Sequence, residues 1–307
     1  MENFSNTSIK EFQNQKIILF GASSRGKRVL NNLLSKGFDK NLILFCDNDP
    51  KKYGKKIFGI PIINLEDLKK FPLDTNIFIS SSMFNEIQTQ LTNLGFTNIH
   101  YFHNLLFSDH VFEKYNSEFL EIIEKVNQEC FLDDEEKYTL YSSLKATFAL
   151  DGNIAELGVY KGGSAKIICE LKKSKTLFLF DTFEGLPETS KNDKVQSGWL
   201  SDTSLDSVKQ YLSKYDHVHF LQGIFPKTTE TLNDETFCFV HLDTDLYQST
   251  LDALSYFWPR MVSGGRIVSH DYNAPDVGGV KQAFDEFFQD FPEKIIEIAD
   301  TQVMVIK

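Results

Sequence analysis

The sequence predicts an α/β protein with two doubly wound domains joined by a helical connector. Short apolar runs of strand length alternate with amphipathic helical segments, and this alternation occurs twice, on either side of a helical stretch with almost no Gly or Pro. The chain has 307 residues, 41% of them hydrophobic, which is enough for two ordinary cores. We expect a first domain over residues 1–108, a connector over 109–150 and a second domain over 151–307.

The first domain begins with a βαβ unit. The strand KIILFG leads through the small-residue turn ASSRG and the amphipathic stretch KRVLNNLLSKG to a second strand, LILFCD. A strand TNIFISS, a helix FNEIQTQLTNLG and a strand TNIHYF follow. Parallel strands with helical crossovers form an open sheet, so we expect a small Rossmann-like domain.

The second domain repeats the alternation on a larger scale and is also expected to be Rossmann-like. Its predicted strands are NIAEL, TLFLFD, HVHFLQG, FCFVHLD, GRIVSHD, KIIEIAD and TQVMVIK. Its predicted helices are SAKIICELKK, SLDSVKQYLSKY, YQSTLDALSYFWPRM and GVKQAFDEFFQDF.

The composition limits the partners and the location. The net charge of −11 argues against a nucleic-acid-binding protein. Residues 1–110 hold 13 Lys plus Arg and 10 Asp plus Glu, a net of +3, which leaves −14 for the remainder. The apolar runs are far shorter than the roughly 18 residues that span a bilayer, and no secretion signal starts the chain. We expect no nucleic-acid or membrane partner, four reduced cysteines and a cytoplasmic location.

The stretch NIAELGVYKGGSA is typical of a strand that enters a glycine turn and then a helix. Gly158 and Gly162 let the backbone approach a ligand, and the helix near Ser164 offers free N–H groups. Glu156 at this strand end would repel the pyrophosphate of a dinucleotide. It is better matched to a cationic amino-acid group, such as the methionine part of S-adenosyl-L-methionine.

Asp181 closes the next strand, 25 residues after Glu156. An acid at this position commonly accepts hydrogen bonds from ribose hydroxyls. The alternative is a strand-end acid whose oxygens are satisfied by the following helix N-terminus. Together, Glu156 and Asp181 predict an adenosine-containing ligand without phosphates.

Polar residues also follow two later strands, in HLDTDLYQST and SHDYNAP. Neighbouring parallel strands lie roughly 5 Å apart, so Asp243, His270 and Asp271 are expected to converge on one cation. Asp245 belongs to the same group of acids or, alternatively, is the N-cap of the following helix.

Four motifs, AELGVYKGGSA, FDTFEGLPE, HLDTDLYQSTLDAL and GGRIVSHDY, resemble the macrocin O-methyltransferase-like (TylF-type) family of class I S-adenosylmethionine-dependent methyltransferases, which methylate sugar hydroxyls. The likeness extends from about Glu135 to Lys307 and implies a class I methyltransferase fold for the second domain. The residues that it implies on the methionine side are Glu156, Gly158, Gly162 and Ser164. Tyr160, also expected to contact the cofactor, stands where the broader methyltransferase motif often has glycine. Those that it implies around the ribose and adenine are Asp181, Phe183 and Gly223.

The resemblance also implies a divalent cation, usually Mg²⁺, bound by Asp243 and by acids after the fifth strand. Here that pair is His270 and Asp271, and imidazole suits transition metals better than Mg²⁺. A cation that contacts two vicinal sugar hydroxyls would orient and acidify one of them. Asp243 is then a ligand and a candidate base, whereas His270 is a ligand, a base or a structural residue.

In the first domain, GASSRG resembles the nucleotide-binding segment of some sugar-modifying proteins. The residues expected to cradle a phosphate or nucleotide are Gly21, Ser23, Ser24, Gly26 and Asp47. This domain would grip the nucleotide of a nucleotide-linked sugar while the second domain methylates the sugar. The alternative is a scaffold or a dimerisation module of a homo-oligomer.

The predicted function is therefore divalent-metal-assisted, S-adenosylmethionine-dependent O-methylation of a sugar hydroxyl. One alternative is an NAD(P)-dependent oxidoreductase, which needs a cleaner dinucleotide turn than GASSRG. The other is a non-catalytic nucleotide-sugar-binding scaffold that retains the fold without the chemistry.

Overall fold

The computed structural model describes residues 10–81, 83–101, 117–126, 130, 132–230, 232, 234–274, 277–299 and 301–307. The chain divides into two units, Met1–Tyr115 and Asn116–Lys307. The boundary predicted between residues 108 and 109 lies outside the described residues. Within the described ranges, no helix is both long enough and apolar enough to cross a membrane.

The described part of the first unit forms a six-stranded sheet with three α-helices. Its strands are β1 (Ile17–Phe20), β2 (Ile43–Cys46), β3 (Lys56–Ile57), β4 (Ile60–Ile63), β5 (Asn76–Ile79) and β6 (Ile99–Tyr101). Its helices are α1 (Ser24–Ser35), α2 (Leu65–Leu68) and α3 (Phe84–Asn93). The strand order is β3-β4-β2-β1-β5-β6, and only the β3–β4 pair is antiparallel.

The centre of this sheet is β1, whose residues Ile17–Phe20 are all buried and pair with strands on both sides. Helix α1 packs on the same core through Val29, Leu30 and Leu33. The sequence pattern does not predict the hairpin of β3 and β4, because β3 is only two residues long and Pro61 interrupts β4.

The second unit contains a seven-stranded sheet and six α-helices within its described residues. Its strands are β7 (Asn153–Leu157), β8 (Leu177–Asp181), β9 (Val218–Gln222), β10 (Phe237–Leu242), β11 (Met261–Ser269), β12 (Ile296–Ala299) and β13 (Gln302–Ile306). Its helices are α4 (Ser117–Val126), α5 (Asp134–Lys145), α6 (Gly163–Leu171), α7 (Leu205–Tyr211), α8 (Tyr247–Phe257) and α9 (Gly279–Phe288). The strand order is β12-β13-β11-β10-β7-β8-β9.

The predicted α/β class is confirmed, since both sheets consist mostly of parallel strands. In the second sheet only the two pairs that involve β13 are antiparallel. Helices α4 and α5, from the stretch predicted as a connector, lie in the second unit and pack against α6.

The strands at the centre of the second unit are buried and apolar, which leaves the polar residues at their ends as candidates for function. β10 is buried along its whole length, and the apolar residues of β7 and β8 are buried as well. Such continuous apolar runs are typical of parallel strands that are covered on both faces. Because β7, β8, β10 and β11 are parallel, their carboxyl ends lie at one edge of the sheet, and the polar residues that follow them are the candidates for function.

An ion-pair cluster ties α6 to two neighbouring segments of the second unit. Glu170 on α6 accepts hydrogen bonds from Lys125 Nζ at 3.0 Å, from Lys214 Nζ at 2.9 Å and from Tyr215 Oη. Burial raises the pKa of Glu170, but these hydrogen bonds outweigh it and lower the pKa to about 2.

Because the folded state lowers this pKa, the contribution of Glu170 to stability is present above the ordinary pKa of about 4.5 and is lost as the pH falls towards 2. We expect Glu170→Gln to lower the free energy of unfolding by about 1–2 kcal/mol at pH 7, since the lysine partners are half-exposed and solvent screens them. Urea titrations at pH 7 and pH 3.5 would measure this, and the difference from the wild type should shrink at the lower pH. Glu124→Gln, an exposed change on α4, is the control, and an equal loss in both variants would contradict the assignment.

Candidate active site

Glu156 lies near the end of β7 and is fully buried. Its Oε1 is 2.9 Å from Nδ1 of His241, the residue paired with it on β10, and Ser164 at the start of α6 is near enough to lower its pKa. Burial raises the pKa of Glu156, against the opposing hydrogen bond from His241. Oε2 is buried and has no hydrogen-bond partner within the described chain. The site therefore holds an unsatisfied carboxylate oxygen next to the start of α6.

His241 is a residue that the sequence reasoning missed. A signal for it exists, because His241 precedes Asp243 by the same two residues that separate Glu156 from Gly158. In two neighbouring parallel strands, residues at the same distance from the strand ends lie side by side.

Gly158 lies where the backbone after β7 packs against the backbone after β10. Its φ is +87°, and a Cβ at this position would lie 1.8 Å from the carbonyl oxygen of Asp243. The backbone N–H of Asp243 donates to the carbonyl of Leu157 at 2.9 Å. Gly158 is therefore required by the approach of two backbone segments, in addition to any approach of a ligand.

Gly162 provides the entry to α6. It is the N-cap residue with a φ of +86°, and no side chain caps the helix there. The first N–H groups of α6 are consequently available to an anion such as a carboxylate. Ser164, which was predicted to lie on the same side of the site, is buried in the first turn of this helix.

Asp181 ends β8 and organises two turns. Its Oδ2 accepts hydrogen bonds from the backbone N–H groups of Val159 at 2.6 Å and Tyr160 at 2.8 Å, and its Oδ1 accepts one from Phe183 at 2.7 Å. The three donors are N–H groups of turns. The alternative, in which the N-terminus of the following helix satisfies the oxygens of Asp181, is therefore not what the structure shows. Thr182 Oγ1 also lies 3.3 Å from Oδ1, but its single proton has a nearer acceptor in the Gly185 carbonyl at 2.6 Å, so one of the roughly four acceptor positions of the carboxylate remains for another donor.

A cavity of about 540 Å³ opens beside these turns. Its wall includes Phe183, Glu184, Gln222 and Ser201, together with the segment from Thr203 to Asp206. Gly223 directly follows Gln222, and its N–H donates to the carbonyl of Asp181 at 2.9 Å. The volume lies in the range of small-molecule sites.

Tyr160 connects this cavity wall to the glycine turn. Its hydroxyl donates to Asp202, which also accepts a hydrogen bond from Lys161 Nζ at 2.6 Å. The carbonyl of Tyr160 accepts a hydrogen bond from Thr203 Oγ1 at 2.6 Å. Tyr160 thus fixes the segment around residue 202 over the turn.

Asp243, His270 and Asp271 converge at the ends of β10 and β11. His270 Nδ1 lies 3.2 Å from Asp243 Oδ1 and 2.9 Å from Asp271 Oδ2, and one nitrogen or oxygen atom from each residue lies within 4.8 Å of the others. Nδ1 has no well-aligned hydrogen-bond partner among the described residues. The three side chains therefore lie close together, as predicted.

Glu136, in the first turn of α5, completes this cluster and was missed by the sequence reasoning. Its Oε1 lies 3.2 Å from His270 Nε2 and accepts a hydrogen bond from Thr301 at 2.8 Å. Its Oε2 accepts one from the backbone N–H of Asp133 at 2.9 Å, as part of a capping box. Glu136 therefore holds the imidazole so that Nδ1 faces the two aspartates.

The charges in this cluster are strongly coupled. Burial alone would lower the pKa of His270, but the carboxylates of Asp271, Glu136 and Asp243 hold it well above its ordinary value. Conversely, burial raises the pKa of Asp243, and the positive charge of His270 more than offsets it. These carboxylates favour the imidazolium form of His270, and only the neutral imidazole can ligate a metal or accept a proton.

Asp245 is not the N-cap of α8, so that alternative is wrong. The N-cap residue is Leu246, and its side chain makes no capping hydrogen bond. The Asp245 side chain is buried against Asp271 instead, and burial together with the charges of Asp271 and Asp243 raises its pKa well above its ordinary value. Asp245 therefore belongs to the acidic cluster.

Several residues of this edge have left-handed backbone conformations. The φ angles of Tyr160, Phe183, Asp245 and Asp271 are +50°, +56°, +57° and +63°. Such angles cost energy for residues with a side chain and are concentrated at functional sites.

In the first unit, the predicted residues surround the start of α1. Ser23 is the N-cap and accepts a hydrogen bond from the N–H of Gly26. A Cβ at Gly21 or Gly26 would lie 2.8 or 2.0 Å from a backbone oxygen. Asp47 already accepts hydrogen bonds from the N–H of Ala22 at 2.7 Å and from Lys52 at 3.1 Å. Ser24 begins the helix, and its side chain lies outside the described part.

Sequence comparison places this site in a known family. The family model described as Macrocin-O-methyltransferase (TylF) matches residues 144–306, more than half of the chain. The chain belongs to the macrocin O-methyltransferase family. The resemblance carried by the four sequence motifs is therefore confirmed. Most candidate residues of this macrocin O-methyltransferase family member lie inside the matched range, whereas Glu136 lies just outside it.

Two curated relatives illustrate the family. The chain is 29% identical over 143 residues to the mycinamicin III 3''-O-methyltransferase of Micromonospora griseorubida, covering 40% of this chain and 56% of the relative. It is 30% identical over 139 residues to the 8-demethyl-8-(2,3-dimethoxy-alpha-L-rhamnosyl)-tetracenomycin-C 4'-O-methyltransferase of Streptomyces olivaceus, covering 39% of this chain and 53% of the relative. The chain thus spans little more than half the length of these macrocin O-methyltransferase relatives.

A solved structure supports the fold of the macrocin O-methyltransferase unit. The O-methyltransferase NovP superposes with a TM-score of 0.52 at 22% identity, covering 58% of this chain and 82% of NovP. The second unit therefore has a methyltransferase-like α/β fold. Residues 13–101 match a different family model, described as C2185-like, N-terminal.

Proposed function

We propose that this protein transfers the methyl group of S-adenosylmethionine to a sugar hydroxyl with the help of a divalent cation. The observation that carries the proposal is the presence of Glu156 and the cluster of Asp243, His270 and Asp271 at one edge of the second sheet. The names of the two relatives support a sugar acceptor, since one of them specifies a rhamnosyl compound.

The residues present fit the cofactor. The buried, unpartnered Oε2 of Glu156 suits the ammonium group of the methionine part, and the open N-terminus of α6 suits its carboxylate. The cavity beside Phe183 and Gln222 is large enough for an adenosine. Asp181 shapes the turns that border the cofactor and offers its remaining acceptor position to a ribose hydroxyl.

The cluster at the ends of β10 and β11 also fits a divalent cation. Adjacent ligands of a cation with octahedral bonds of about 2.1 Å are roughly 3 Å apart. The separations of 3.2 and 2.9 Å from His270 Nδ1 to Asp243 and Asp271 match this spacing. Bound there, a cation would supply Lewis-acid activation of the acceptor hydroxyl.

We assign the acceptor's proton to Asp245 ahead of Asp243 and His270. Asp243 is engaged as a cation ligand, and His270 must be neutral to act as one. Asp245 is buried beside them and has no ligand role in this proposal, so it is the carboxylate left to take the proton; the positive charge of a bound cation would favour its ionised form. The remaining residues then align the sugar and exclude water.

For the first unit we propose that it holds the nucleotide part of a nucleotide-linked sugar. The exposed Lys51, Lys55 and Lys56 support an anionic ligand, whereas the glycines at 21 and 26 are required by the approach of the chain's own backbone. Oδ2 of Asp47 accepts hydrogen bonds from the N–H of Ala22 and from Lys52, and Oδ1 accepts one from the N–H of Asp49, which leaves one acceptor position for a ribose hydroxyl.

The experiment that tests the function is mass spectrometry of methyl transfer from isotope-labelled S-adenosylmethionine across a panel of nucleotide sugars and glycosides. We expect one sugar acceptor to gain a single labelled methyl group. Calorimetry with S-adenosylhomocysteine, NAD and nucleotide sugars separates the alternatives. Tight binding of NAD alone would favour an oxidoreductase, and binding of a nucleotide sugar without either cofactor would favour a scaffold.

The nitrogen donor of His270 predicts an unusual metal preference. With imidazole in the ligand set, we expect Mn²⁺ to support about tenfold more activity than Mg²⁺. His270→Asp should bring this ratio close to one, because an all-oxygen set suits Mg²⁺. Initial rates with each metal would measure the ratio, with the exposed His217→Asp as the control. An unchanged ratio in His270→Asp would remove His270 from the ligand set.

A further inference from the structure

The segment that links β8 to α7 crosses the edge of the second sheet, and we call residues 182–204 the strap. The strap folds back on itself, since Leu186 N–H donates to the Trp199 carbonyl and Gly198 N–H donates to the Leu186 carbonyl, both at 2.8 Å. One end is held at the glycine turn by Asp202, which contacts Tyr160 and Lys161. The other attachment, at Asp193, has no role in the site described so far.

Asp193 caps helix α8 from the strap. Its Oδ1 accepts a hydrogen bond from the backbone N–H of Tyr247, the first residue of α8, at 2.7 Å. Its Oδ2 accepts hydrogen bonds from the N–H and the hydroxyl of Ser190, both at 2.7 Å, which fix the carboxylate. A negative charge at a helix N-terminus is also favoured by the helix dipole.

A third segment, the start of α9, leaves room for the Asp193 side chain beside Tyr247. At Gly279, the first residue of α9, a Cβ would lie 2.5 Å from Asp193 Oδ1 and 2.6 Å from the Tyr247 nitrogen. Any side chain there would displace Asp193 from Tyr247. Three segments far apart in the sequence therefore meet at this one hydrogen bond.

The cap has a consequence for Asp245. An aspartate just before a helix is a favourable capping residue, because its carboxylate can accept hydrogen bonds from the first free N–H groups. Here Leu246 makes no cap, Asp193 satisfies the N–H of Tyr247, and Asp245 turns away with a φ of +57° into the acidic cluster. Without Asp193, Asp245, which stands two residues before Tyr247, would be free to turn towards these N–H groups.

We propose that Asp193 is a positioning residue: by capping α8 from the strap, it keeps Asp245 in the acidic cluster at the acceptor end of the site. The inference rests on the proposed methyl transfer. The position of Asp245 would then depend on the position of the strap. The acceptor end would have all its side chains in place only when the strap contacts α8 through Asp193.

The test compares four single variants in the full chain. We expect Asp193→Ala to lower kcat by about 20-fold, while the KM for S-adenosylmethionine and the affinity for S-adenosylhomocysteine stay within about twofold. Asp193→Asn keeps an acceptor oxygen and should recover kcat to within about threefold of the wild type. Gly279→Ala should reproduce Asp193→Ala. Gly278→Ala is the matched control, because its Cβ would meet only the flexible end of Lys194 and the more distant Asn192 carbonyl.

A double variant tests the link to Asp245. If Asp193 acts by placing Asp245, then Asp193→Ala should change kcat by less than about threefold in an Asp245→Asn background. Additive losses would overturn the proposal, as would a kcat in Asp193→Ala equal to that of the wild type. Loss of cofactor affinity in parallel with kcat would also overturn it.

A measurement without turnover separates this inference from the proposed function. Hydrogen–deuterium exchange of peptides that contain residues 245–251 should be faster in Asp193→Ala and Gly279→Ala than in Gly278→Ala and the wild type. If the wild type transfers no methyl group, the proposed function fails, whereas the exchange data still decide whether Asp193 caps α8. Unchanged exchange in Asp193→Ala would refute the cap itself.

Discussion

Asp243→Asn is expected to lower the rate of methyl transfer on the order of a thousandfold, while the affinity for S-adenosylhomocysteine changes by less than about twofold. Asparagine has the shape of aspartate without its charge, so the fold should be retained. The cation site would lose one of its two charged ligands, and His270 would lose the partner 3.2 Å from its Nδ1. Single-turnover rates and calorimetry with S-adenosylhomocysteine would measure the two effects separately.

The matched control for this change is Asp234→Asn, an exposed aspartate just before β10. It should behave as the wild type in both measurements. Titration of Mn²⁺ into the cofactor-bound protein provides a third readout, because Asp243→Asn should weaken metal binding even where no turnover occurs. Full activity in Asp243→Asn would show that the assignments of the metal and the acceptor end are wrong.

Asp181→Ala is expected to have the largest effect on the cofactor end. The backbone N–H groups of Val159, Tyr160 and Phe183 would lose their acceptor, and a buried unsatisfied donor costs about 1–3 kcal/mol. We expect a loss of about 2–4 kcal/mol in the free energy of unfolding and a loss of at least about 30-fold in affinity for S-adenosylhomocysteine.

Urea unfolding and calorimetry would check the two parts of this prediction. Glu188→Ala, at an exposed position of the strap, is the control and should change neither quantity. If Asp181→Ala lost stability but bound S-adenosylhomocysteine as the wild type does, Asp181 would support the turns without any influence on the cofactor. Wild-type behaviour in both measurements would contradict the hydrogen bonds as well.

Much of the second sheet was predictable from the sequence, because fully buried parallel strands are continuous apolar runs. β10, for example, is FCFVHL, and all six of its residues are buried. The convergence of Asp243 with His270 and Asp271 was predictable for the same reason, since parallel neighbours end at the same edge of a sheet.

The residues that the sequence did not reveal act across long separations in the chain. Glu136 reaches His270 from the first turn of α5, and the DDEE pattern indicates a helix start without indicating what that start faces. The N-cap alternative for Asp245 is wrong because Leu246 is the N-cap residue, and the N–H of Tyr247 finds its acceptor in Asp193, 54 residues away. Helix capping by a distant loop has no local signature.

Gly158 has a final consequence for attempts to redesign this protein. Its contact with Asp243 is between two main chains, so in the proposed methyl transfer the spacing between the cofactor end and the acceptor end would be set by the backbone and not by the choice of side chains. Acceptance of a different sugar should therefore be sought by changing the strap. Substitutions at the ends of β7 and β10 would instead change the spacing between the cofactor and the acceptor in the proposed site.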